Sequence, residues 1–106
     1  MTYYDKLVRD GIPTVLKAAG VPYETRTAEP RERYFLLLQK LKEEVAELVD
    51  AGFNEEILQE SADILEVLDA IAKLLGDPNG ARDRQLAKRE ERGGFEKWIV
   101  LISTGA

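Results

Sequence analysis

The residues best suited to chemistry in this sequence are acidic, and they come in pairs. Glu44 and Glu47 lie three apart, and so do Glu60 and Asp63. Residues three apart share one face of an α-helix. On a wheel of about 100° per residue, the first pair borders an apolar arc of Leu37, Leu38, Leu41, Val45 and Leu48. The second pair sits with the arc of Ile57, Ile64, Val67, Leu68, Ile71 and Leu75, Glu60 inside it and Asp63 beside Val67. Glu43 and Asp50 point outward on the first wheel, as do Glu66, Asp69 and Lys73 on the second. Carboxylates turned toward a core are costly unless something positive meets them.

Two kinds of partner are open. Lys40 stands four residues before Glu44 and can pair with it. The second helix offers no base between residues 56 and 67. A hard divalent cation takes several carboxylate oxygens at once and fits the whole set better. The plain alternative is a solvated charged face, the usual state of a lone E-x-x-E. Two such pairs on helices joined by a tight turn favour a cation site between the helices.

The absences narrow the chemistry in the same direction. Among 106 residues there is no histidine and no cysteine. That excludes Ser-His-Asp and Cys-His nucleophiles, the usual zinc ligands and any disulfide framework. No phosphate-binding G-x-x-x-x-G-K-[ST] or G-x-G-x-x-G loop occurs. The net charge of −5 argues against binding duplex nucleic acid. Apolar runs fall well short of the ~20 residues of a membrane span, and the opening residues lack a signal-type apolar core. The expectation is one cytoplasmic domain over 1–106, with no membrane partner.

Two long helices must position the carboxylates. One is expected over 28–50, stopped by Gly52. The other is expected over 54–75, capped by Asn54, with Phe53 and Leu58 as a hydrophobic staple and Gly76-Asp77-Pro78 as the stop. The short link between them predicts an antiparallel hairpin. A short helix is expected between Pro13 and Gly20, and a charged one over 80–91 before Gly93-Gly94. Residues 22–27 and 95–102 alternate or cluster apolar and β-branched types and read as strands, each the other's partner. The fold class is therefore mainly α, with a small two-stranded antiparallel β pair. One side of the hairpin's apolar stripe stays uncovered, so association of at least two copies into a four-helix, bundle-like core is expected.

With these residues in place, the chain resembles a known family. Glu43-Glu44-Val45-Ala46-Glu47, twelve residues, then Glu60-Ser61-Ala62-Asp63 is similar to the E-E-x-x-E…E-x-x-D signature of MazG-like, all-α nucleoside triphosphate pyrophosphohydrolases. That superfamily also holds phosphoribosyl-ATP pyrophosphohydrolase. The opening Tyr4 to Pro13 resembles the start of a small single-domain subgroup, and the stretch from Lys88 to Phe95 fits as well. The resemblance spans nearly the whole chain.

It implies an enzyme that cleaves a nucleotide between the α and β phosphates, giving monophosphate and pyrophosphate. It implies Mg²⁺, with Mn²⁺ as substitute, held by Glu44, Glu47, Glu60 and Asp63 as catalytic ligands. It implies that Lys88 and Arg92 grip substrate phosphates. Glu43, Lys6 and Arg9 take supporting or substrate-contacting places, or Lys6 and Arg9 pair structurally with Asp10 and Glu24. Tyr34, Phe35, Phe95 and Trp98 are candidates for a base-stacking wall, with core packing the commoner job. Nucleotide house-cleaning, phosphoribosyl-ATP hydrolysis and a non-catalytic helical dimerisation module are the competing functions.

Overall fold

The computed structural model describes residues 2–105. Four α-helices follow one another: α1 Ile12–Ala18, α2 Arg33–Asp50, α3 Asn54–Leu74 and α4 Gly80–Arg92, with a 3₁₀ turn Pro30–Glu32 leading into α2. α2 and α3 form the antiparallel hairpin, joined by residues 51–53, and their shared seam is the main packing of the chain. α4 meets the end of α3 around Leu68, Ile71, Ala72 and Leu75, through Gly80, Ala81 and Arg84 at its start. α1 packs on neither long helix.

The helix boundaries follow local chemistry. α1 has Pro13 in its first turn, where the missing N–H costs nothing. It stops at Gly20, whose φ of +70° suits glycine; Val21 N–H donates to Leu16 O and Gly20 N–H to Lys17 O. α3 ends the same way at Gly76, with φ +76°, Asp77 N–H bonding Ala72 O. The entrance to α2 is set by Glu32, which accepts from the Glu29 N–H at 2.8 Å and from both Arg26 amino groups at 2.8 and 2.9 Å. Arg26 also donates to Asp5 at 3.0 Å, tying the amino-terminal segment to this corner. Residue 54 is the first residue of α3 rather than its cap, and Phe53 and Leu58 are 62% and 64% exposed, so the expected staple does not cover them.

The expected β pair is absent: no strand occurs among the described residues. Trp98 has φ +54°, a left-handed backbone incompatible with a strand, and its N–H turns back to Phe95 O at 3.1 Å. Residues 22–27 are held instead by the Arg26 ion pairs beside α2. Phe95, Trp98 and Ile102 are each more than four-fifths exposed, and Phe35 is 70% exposed, so these aromatic and aliphatic side chains do not pack a core. Among the described residues, no helix is long and apolar enough to cross a membrane.

The chain buries little by itself. Val67 and Ala72 are the only described apolar residues more than nine-tenths buried. Its accessible surface is 9537 Å² for 11.9 kDa, against about 6,000 Å² for a folded monomer of that mass. The radius of gyration is 18.2 Å, against about 13 Å for a compact chain of this length.

Candidate metal centre

The seam of the hairpin is where the carboxylates meet. Glu44 sits on the buried face of α2 among half-buried Leu37, Leu41 and Leu48, and only 5% of it is exposed. Glu60 enters from α3, half-buried beside Val67 and Ile64 on the same face. Glu47 lies one turn beyond Glu44, at the solvent side. One carboxylate oxygen from each of the three lies within 4.8 Å of the others. Opposed ligands of an octahedral Mg²⁺ stand about 4.2 Å apart, and those of Ca²⁺ somewhat more. The donor set is all oxygen, the kind hard cations take.

The buried polar atoms give this cluster its direction. Glu44 Oε2 and Glu60 Oε2 are both out of solvent, and no amide, hydroxyl, Lys or Arg donor of the described residues reaches them. Glu44 Oε1 reaches Lys40 Nζ at 3.3 Å, the i, i+4 pair expected from the sequence. Burial, then hydrogen bonding with Glu47 and Glu44, then their negative charge, push the Glu60 carboxyl up to about 7. Three converging carboxylates, two of them with a buried oxygen that no donor reaches, are suited to accept a divalent cation, and the residues present fit one.

The fourth expected ligand lies elsewhere in its contacts. Asp63, one turn after Glu60, accepts from Arg9 Nη2 at 2.7 Å. The base that α3 lacks is thus delivered from the amino-terminal segment. Lys6 acts in parallel: its Nζ lies 3.0 Å from Glu43 Oε1. Glu43 is half-buried under Lys6 and Lys40 rather than pointing free to solvent. The Lys6 ammonium holds its carboxyl below the usual range, and Glu43 in turn raises Lys6. Lys6 and Arg9 therefore pair with the two acidic motifs, and not with Asp10 and Glu24. Hydrophobic periodicity located the carboxylates, but a contact across 54 residues of sequence leaves no periodic signal.

Lys88 and Arg92 are both exposed on α4, and neither pairs with a seam carboxylate among the described residues. Arg92 lines a shallow recess with residues 93–99, where Arg89 and Glu96 form an ion pair. No protein-family profile, no curated protein and no solved structure matches this chain.

Proposed function

We propose that this chain is a metal-dependent nucleotide pyrophosphohydrolase of the MazG-like kind, with Glu44, Glu47 and Glu60 as the primary cation ligands and Asp63 as the fourth. The observation that carries the reading is the convergence of the Glu44, Glu47 and Glu60 carboxylates in the seam, with Glu44 Oε2 and Glu60 Oε2 buried and without a donor. A chain with no such demand would place leucine or glutamine there, since unpaired buried charge is strongly destabilising. A divalent cation bound there supplies charge for phosphate oxygens and acidifies a water for attack.

The chain's own residues do the rest. Glu60 would hold the cation from α3, and Glu44, paired with Lys40, would hold it from α2. Lys88 and Arg92 are proposed to hold the departing pyrophosphate, as cations stabilising developing charge. Substrate class follows from the metal: a polyphosphate whose charge the cation offsets, with nucleoside triphosphates first and phosphoribosyl-ATP second.

The test is a pyrophosphate-release screen over nucleoside triphosphates and phosphoribosyl-ATP, with and without Mg²⁺. Wild type should release pyrophosphate only with the metal. Glu60→Gln should abolish release while raising the melting temperature of the metal-free chain, because it removes a repelling charge. Glu66→Gln, on the exposed face of α3, should change neither. Full activity in Glu60→Gln with loss in Glu66→Gln sinks the site. No release from any substrate, with Mg²⁺ still raising the melting temperature, leaves a metal-binding helical module.

A further inference from the structure

The amino-terminal segment does more than decorate the hairpin. Around the seam stand five carboxylates, Glu43, Glu44, Glu47, Glu60 and Asp63, and three cations, Lys6, Arg9 and Lys40. Two of the three cations are matched to carboxylates at the rim: Lys6 to Glu43 and Arg9 to Asp63. The inner oxygens, including that of the nine-tenths buried Glu44, are left without a partner. With every carboxylate ionised, the excess of negative charge is the size of one divalent cation.

The Arg9–Asp63 pair is the exchangeable member of this set. Its side chains are 54% and 37% exposed, and ion pairs so open to water are weakly held. Asp63 lies one turn from Glu60 on the same side of α3. A cation seated on Glu60 attracts Asp63 and repels Arg9. The Lys6–Glu43 contact three residues earlier keeps the released guanidinium close. A planar guanidinium held beside a cation site is matched to a phosphate group bridging to that cation.

Building on the proposed metal reading, we propose that Arg9 is an internal stand-in for the metal at Asp63. It holds Asp63 while no cation is bound, yields it to an incoming divalent ion, and then pairs with the phosphate that the ion brings. By linkage, Arg9 then opposes metal binding and favours phosphate binding, opposite signs for one side chain.

Calorimetric titration of the full chain separates these effects. Mg²⁺ alone should bind Arg9→Gln more tightly than wild type, by about fivefold to tenfold. Inorganic pyrophosphate added to the Mg²⁺-loaded protein should bind Arg9→Gln about tenfold more weakly. In an Asp63→Asn background, Arg9→Gln should leave Mg²⁺ affinity unchanged, because the competition has lost its object. Thermal melts of each variant check that the fold persists. Equal tightening in the Asp63→Asn background would show only a general charge effect and overturn the exchange. Unchanged or weaker Mg²⁺ binding in Arg9→Gln, with wild-type binding intact, also overturns it and leaves the metal reading standing. Pyrophosphate binding that ignores Arg9 overturns the phosphate half. Wild type that binds neither Mg²⁺ nor Mn²⁺ sinks the metal reading and this inference with it.

Discussion

Glu60 decides the behaviour of the seam without metal. Its carboxyl is pushed up to about 7, from an ordinary 4.5. Between those values the folded chain holds a proton that the unfolded chain has released. The stabilising contribution is therefore full below 4.5 and is lost as pH rises through about 7. Melts of metal-free protein should show the transition temperature falling over that window, and Glu60→Gln should flatten the slope. A melting temperature that rises across the same window in metal-free wild type, and flattens in Glu60→Gln, would contradict the assignment. At this scale the sequence was informative where periodicity applied. Glu44 and Glu60 face the seam as their positions on the helix wheel require, and Lys40 pairs with Glu44. The wheel also set Glu43 outward, because it knows nothing of Lys6 arriving from another part of the chain. Asp63 carried no sign that Arg9 would hold it.

At the scale of elements, the long helices were legible because several local signals agree. Asn54 with Glu55 and Glu56 opens α3, Gly76 closes it, and three residues link it to α2. The strands were not legible for the converse reason. Apolar, β-branched composition over 95–102 reports a wish to be covered and says nothing about what covers it. Trp98 turns out of the extended region, and a strand without a partner cannot satisfy its backbone. The α2–α3 seam carries the stability that a single chain has. Val67, 6% exposed, is the most buried apolar residue described. Val67→Ala should cost about 1–3 kcal/mol, measured by denaturant unfolding. An effect below a few tenths would place the stabilising contact elsewhere.

For the whole molecule, surface area is the telling quantity. The 9537 Å² it exposes exceeds the expected monomer value by about 3,500 Å². A standard interface buries about 800 Å² per partner, and obligate ones more. Away from the seam carboxylates, exposed apolar side chains remain on both long helices: Val45 and Val49 on α2, and Leu58 and Leu65 on α3. Leu65 alone is 63% exposed. We propose that a second hairpin packs on these side chains to complete a four-helix core, leaving the acidic side uncovered. Sedimentation at micromolar concentration should show a dimer or larger species. Leu65→Glu should shift it toward monomer without altering residues of the seam. Wild type sedimenting as a monomer would overturn this assembly.

The three-residue link between α2 and α3 has a consequence for the order of events during folding. Contacts across the hairpin join residues near in sequence, so closing it costs little loop entropy and is fast. The closed hairpin buries little by itself, and in the four-helix assembly proposed above the remainder would come from a second chain. Glu44 and Glu60 therefore meet early, in a step independent of concentration. In that assembly, further stability would arrive later, in a step whose rate depends on how many chains are present. A cation captured by the first step would lengthen the lifetime of the hairpin while it waits for the second.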